Sequence, residues 1–201
     1  MATDGKMRQK KLYSACLNLD LKGARLSDSY YYNSLPLCLI DAIYSIGVHY
    51  TSVENAVKNF CKNVDTPRIS YMRDPNTEKV KYDCYKMEDL LKVLEKYSSS
   101  QYGAKDIFKN EQKTSTRNGI PKAEAIFRAA TILVDHNINT FSDLRNISEV
   151  KLTSIEKEYC KIPGQGTADH ISWNYFLMLS GDDNHIKVDR WIERFYEEST
   201  G

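Results

Sequence analysis

Glycine and proline are scarce in this chain, 9 and 5 among 201 residues, and no internal repeat or low-complexity tract stands out. Long apolar runs are missing as well. None approaches the roughly 20 residues that a bilayer-crossing helix needs, and Met1–Lys11 lacks the apolar stretch of a secretory signal. The expectation is a chain with no membrane partner, not secreted, in the cytoplasm (nucleoid) or nucleus. Metal-binding cysteine spacing is also absent. Cys16, Cys38, Cys61, Cys84 and Cys160 form no C-x-x-C pair, and the 4 histidines do not cluster. Neither zinc nor any other metal or cofactor is expected, and the cysteines read as free thiols in a reducing compartment. Charge of one sign is not in excess: 28 basic against 27 acidic residues give +1. Bulk charge therefore advertises no polyanionic partner.

What is present is an ordinary globular composition, 41% hydrophobic and 27% charged. A chain of this length suits a single domain, 1–201, in one or two lobes, that buries roughly 70% of its unfolded surface without a staple. A monomer is expected. Charge is unevenly spread, however. Lys6, Arg8, Lys10, Lys11, Lys22 and Arg25 make the first 25 residues basic, Lys105 to Arg128 form a second basic stretch, and the segment after Val188 is acidic. One basic face on a near-neutral molecule fits this distribution; so do solvated helix surfaces.

Apolar spacing is mostly helical. Leu35 to Gly47 reads as a nearly wholly buried helix, opened by Ser34 as N-cap with Pro36 in the first turn. Ser52 is expected to cap Val53–Phe60, with Val53, Ala56, Val57 and Phe60 on one stripe. Met87–Tyr97 and Ile120–His136 follow as amphipathic helices. Asp65–Tyr85 alternates instead, around the turn signal Asp74-Pro75-Asn76, and reads as a small hairpin or polar loop within an irregular region 65–112. The fold class is all-α, a helical bundle with short connections.

The sharpest local feature is Ile162-Pro163-Gly164-Gln165-Gly166-Thr167 between two helical stretches. Two glycines without side chains let the backbone approach another molecule closely, and the amides that open the next helix carry the positive end of its dipole. Such a turn binds phosphate without reading base identity. It also reads as a tight interhelical turn with a glycine C-cap. Further on, Ile186-Lys187-Val188-Asp189-Arg190-Trp191-Ile192 sets one acid at the start of a helix whose apolar side would carry Trp191, Ile192 and Phe195.

At these residues the sequence resembles the helix–hairpin–helix DNA glycosylase superfamily, the endonuclease III-like fold. Ile162–Gly166 is similar to the family's Leu-Pro-Gly-Val-Gly hairpin, and Val188-Asp189 to its Val-Asp pair. Lys122-Ala123 matches the Lys-Ala that opens the helix two elements before the hairpin. Leu35 to Gly47 resembles its first core helix. About two-thirds of the chain is covered, in the family's order. The resemblance implies a helix–hairpin–helix glycosylase-like bundle, double-stranded DNA as partner, and Asp189 as catalytic residue. It also makes Ile46–Thr51, with His49 and Tyr50, the loop that wedges where a base leaves the duplex.

Two departures shape the expectation. Bifunctional members carry a nucleophilic lysine where this sequence has Ala168, so no strand-cleaving lyase activity is expected. Relatives with an iron–sulfur cluster carry cysteines after the aspartate, and none follows Asp189. What remains is a monofunctional glycosylase. As the bond from C1′ to the base breaks, a carboxylate beside C1′ stabilises the sugar cation and orients a water. The alternatives are a non-catalytic DNA-binding module, in which Asp189 only caps its helix, and a helical structural protein. Asp169, His170 and Ser172 are further candidates for the space near the hairpin. Lys187 is a phosphate-facing or solvated lysine, with imine formation as its other reading. The expected DNA contacts are Gly164, Gln165, Gly166, Thr167, Lys113, Arg117 and Lys122, with Lys113 to Asn118 reading equally as an ordinary connection. Tyr44, His49, Tyr50 and Trp173 are the expected pocket or wedge residues.

Overall fold

The computed structural model describes residues 2–19, 24, 31–66, 83, 85–96, 103–166 and 170–201. Among these, every regular element is helical. The order is α1 Ala2–Asn18, α2 Leu35–Tyr44, α3 Tyr50–Val64, α4 Met87–Glu95, the π-helical turn α5 Gly103–Phe108, α6 Lys122–Asp135, α7 Phe141–Arg145, α8 Glu149–Tyr159, α9 Ile171–Leu179 and α10 Arg190–Thr200. An isolated β-bridge pairs Lys113 with Pro121. The hairpin expected within Asp65–Tyr85 falls largely outside the described residues.

The centre of the molecule is α2, in which every residue from Leu35 to Tyr44 is buried. Apolar residues all round a helix leave it no solvated face, and α3, α4, α6 and α9 pack around it accordingly. Ser34 is the N-cap and Pro36 sits in the first turn, although the Ser34 hydroxyl makes no capping bond. The helix stops at Tyr44, earlier than the apolar run that continues to Gly47. The next helix begins at Tyr50 with His49 as its N-cap, so Ser52 lies inside α3 and does not cap it. The stripe of Val53, Ala56, Val57 and Phe60 is buried as its spacing requires. Phe60 stacks on Phe108 at 5.7 Å between centroids, and Phe108 meets Tyr44 at 5.3 Å, joining α3, α5 and α2.

Buried apolar side chains from α2 to α9 form one continuous core. The outer helices α1 and α10 contribute none to it. They pack on each other, with the Lys11 ammonium donating to the Thr200 carbonyl at 2.9 Å. The apolar side expected for α10 is therefore not a core face: Trp191 is 69% exposed.

Candidate functional site

The turn between α8 and α9 is built from close backbone contacts. Ile162 N–H donates to the Tyr159 carbonyl and Gln165 N–H to the Ile162 carbonyl, at 3.0 and 2.9 Å. Gly164 has φ of +83°, and a Cβ there would lie 2.6 Å from the Thr114 Cβ. A Cβ on Gly166 would lie 2.2 Å from the Cys160 carbonyl oxygen. Glycine is needed at both positions by the protein's own packing. Among the described residues, the Gly164 and Gly166 N–H groups make no hydrogen bond. Gly166→Val is expected to lower folding stability by about 2–4 kcal/mol, read by urea unfolding. A variant of unchanged stability would mean that the close approach to Cys160 is not required.

Thr114 ties the 112–121 loop to this turn. Its N–H donates to the Ile120 carbonyl at 2.9 Å and its hydroxyl accepts from Ile120 N–H at 3.2 Å. The bridge at Lys113 and Pro121 closes the loop. Lys113 and Arg117 are exposed on this loop, beside the hairpin. That adjacency is not readable from the sequence, because more than 40 residues separate the two motifs.

Several expected site residues are placed elsewhere. Tyr44 is fully buried and its hydroxyl donates to the Asn110 carbonyl, so it cannot wall a pocket. Trp173 is 1% exposed, packed between Tyr159 and Phe176. The Gln165 side chain is likewise buried and does not reach outward to a phosphate. Lys122 is 1% exposed, and its ammonium donates to the Tyr44 and Ile46 carbonyls, both at 2.8 Å. It caps the carboxyl end of α2, where a cation meets the negative end of the helix dipole, and it pins the loop that follows. Burial, and then the charge of Lys187, push its ammonium down to about 8. Ser172 is buried in a 2.7 Å hydroxyl contact with Tyr159, and the His170 ring bonds the Glu156 carboxylate at 2.6 Å; both are structural ties between α8 and α9. Thr167, Ala168 and Asp169 lie outside the described residues.

The remaining residues converge. A cleft of about 1660 Å³ opens between the 45–50 loop, one face of α9 and the 180–190 segment, and His49, Tyr50 and Asp189 all line it. Asp189 is the N-cap of α10, its carboxylate accepting from Trp191 N–H at 3.0 Å and Ile192 N–H at 3.4 Å. Those two bonds fix the side chain at the cleft wall.

Tyr175, Lys187 and Trp191, which are not among the expected pocket residues, line the cleft too. The Lys187 ammonium lies 4.1 Å from the Tyr175 ring centroid, within cation–π range. Burial holds it below the usual lysine range, partly offset by Asp41 and Asp189. Asp41 stands behind the cleft within fully buried α2, accepting the Tyr32 hydroxyl at 2.6 Å. A lone acid in an otherwise apolar helix was the signal for it. Among the described residues, no group of three or more His, Cys, Asp or Glu side chains could hold a metal ion, and no helix is long and apolar enough to cross a membrane.

No curated protein and no solved structure matches the chain. A family model does match, over residues 10–201, and its description is a domain of unknown function, DUF8548. Nearly the whole chain is covered, so this protein belongs to the DUF8548 family.

Proposed function

We propose that this protein is a DNA glycosylase that releases a damaged or modified base from double-stranded DNA by Asp189-assisted hydrolysis, leaving an abasic site. The observation that supports the reading most strongly is convergence. The acid at the start of α10 and the residues of the loop after α2, far apart in sequence, line one cleft, and the resemblance assigns catalysis and base displacement to those two segments. In this reading, base departure leaves positive charge on the sugar, and the Asp189 carboxylate stabilises it while orienting water toward C1′. His49 and Tyr50 occupy the space vacated in the duplex. The hairpin N–H groups of Gly164 and Gly166, with Lys113 and Arg117, hold phosphates without reading sequence.

A second reading has its own support. The Asp189 carboxylate already accepts two backbone N–H bonds as a helix cap, which is all that a non-catalytic DNA-binding module would ask of it. One experiment separates them: duplexes carrying a panel of lesions and modified bases are incubated with the protein, and free base is detected by mass spectrometry. Release from any duplex supports the enzyme. DNA binding with no release from any member supports the module.

The phosphate contacts have a separate test. Reversal of Lys113 or Arg117 to glutamate is expected to weaken binding to all sequences alike and to flatten the dependence of log affinity on log salt by roughly one unit per lost contact. An unchanged slope in both variants would move the DNA-facing surface away from this loop.

A further inference from the structure

We propose that the α1–α10 pair is a homodimer interface, on which a second copy of this chain seats its own pair about a two-fold axis, in place of the monomer expected from the sequence. The inference does not depend on the chemistry of the cleft. It is carried first by where apolar surface is left uncovered. Of the ten large apolar side chains exposed among the described residues, seven belong to α1, to the residue that follows it, or to α10. Single scattered exposures are ordinary, whereas a set gathered on two adjoining helices marks an association surface. Neither helix contributes to the core, so the core gives no reason for the apolar residues they carry.

Charge complementarity names the occupant. On α1, which packs on α10, Leu12 and Ala15 are half-buried and every other described side chain is exposed. The helical turn places Lys6, Lys10, Tyr13 and Leu17 on one stripe across the helix from those two. Their spacing of four, three and four residues is that of a seam between packed helices, yet Tyr13 is 65% and Leu17 63% exposed. Glu193 and Glu197 stand one turn apart on α10, across that helix from the half-buried Phe195 and Ser199. Overall α1 carries Lys6, Arg8, Lys10 and Lys11 against Asp4, and α10 carries Glu193, Glu197 and Glu198 against Arg190 and Arg194. These opposite charges are not spent on each other: among the described residues Lys6, Lys10, Glu193 and Glu197 form no ion pair. A two-fold axis brings α1 of each copy over α10 of the other, so the lysine pair meets the glutamate pair twice while Tyr13 and Leu17 leave water. A polyanion or an anionic bilayer fits this surface less well, because the α10 carboxylates would face its phosphates. From helix rise and diameter the pair offers roughly 25 by 20 Å, on the order of 500 Å² per copy. That area sits at the lower end of specific interfaces, and its charge makes the contact salt-sensitive.

The experiment is sedimentation velocity on the full chain, across about two decades of concentration centred in the micromolar range, where a contact of this size dissociates. The expected result is a shift from monomer to dimer with nothing larger, because a two-fold contact closes on itself. Tyr13→Glu with Leu17→Glu should weaken the dimer by roughly tenfold or more, since each change would bury a charge in the contact. Far-UV circular dichroism should show its helices intact, as both side chains are exposed. Lys6→Glu with Lys10→Glu should weaken the dimer as well, and adding Glu193→Lys and Glu197→Lys to that variant should restore it. A wild type that stays monomeric over the whole range overturns the proposal. So does a dimer that the Tyr13 and Leu17 changes leave intact, or a fourfold charge swap that associates no better than the lysine reversal alone. A monomeric wild type whose affinity for duplex DNA falls on lysine reversal would make α1 a DNA-facing helix instead. Base release is read in a separate assay, so the dimer and the glycosylase reading stand or fall independently.

Discussion

Asp189→Asn is expected to slow base release by roughly a hundredfold or more, a loss of several kcal/mol of transition-state stabilisation. The substitution is informative because it separates the two roles of this residue. Asparagine is as good an N-cap as aspartate, so the bonds to Trp191 and Ile192 N–H persist and α10 keeps its start. What disappears is the negative charge that, in the proposed reaction, faces the sugar cation. Binding to duplex DNA should be retained or improved, since a negative charge no longer stands near the phosphates. Single-turnover excision and equilibrium binding, measured on the same duplex, give the two numbers. Excision as fast as wild type would reduce Asp189 to a helix cap.

Trp173→Ala is expected to cost about 3–5 kcal/mol of folding stability, a large share of the 5–15 kcal/mol typical of a domain. The indole lies 5.1 Å from the Tyr159 ring and 5.6 Å from Phe176, at 1% exposure. Tyr159 ends α8 and Trp173 is near the start of α9, so this contact clamps the two helices on either side of the hairpin. The neighbouring Tyr159–Ser172 hydroxyl bond lies in the same clamp. Chemical denaturation should show the loss, and DNA binding should fall with it because the hairpin is no longer held. Tyr50→Ala makes the opposite comparison: its side chain is exposed at the cleft, so stability should hardly change while activity on DNA falls. A Trp173→Ala protein as stable as wild type would mean that the helix pair is held by other contacts.

These two aromatic positions also show where the sequence could be read and where it could not. The buried character of α2 was legible because apolar residues around a whole helix have no other place to go. The hairpin glycines and the acid opening α10 were legible as local signals, since backbone crowding and capping are decided within a few residues. Tyr44 and Trp173 lie in the core although they read as pocket residues, because an aromatic in the core and one in a pocket look alike in one dimension. Lys122 is buried against expectation for a related reason. A lysine at the start of a helix reads as a solvated cation, and only the approach of the α2 carboxyl end turns it inward as a cap for the Tyr44 and Ile46 carbonyls. Trp191 was placed on an apolar face, which exists, but α10 packs on α1 away from the core and leaves that ring at the cleft. The meeting of Lys187 with Tyr175 depends on how the 180–190 segment folds back along α9, which no spacing encodes.

The central claim is that DNA seats a sugar in this cleft, and the two tryptophans offer a direct measurement. Trp173 is buried, whereas Trp191 is 69% exposed, lines the cleft and lies two residues from Asp189. Titration with a duplex carrying a tetrahydrofuran abasic analogue should quench or shift the emission of the exposed tryptophan, saturating with the binding curve. The signal should vanish in Trp191→Phe, which retains Trp173. Saturable binding with unchanged emission, or the same change in Trp191→Phe, would place the DNA away from the cleft and contradict the account.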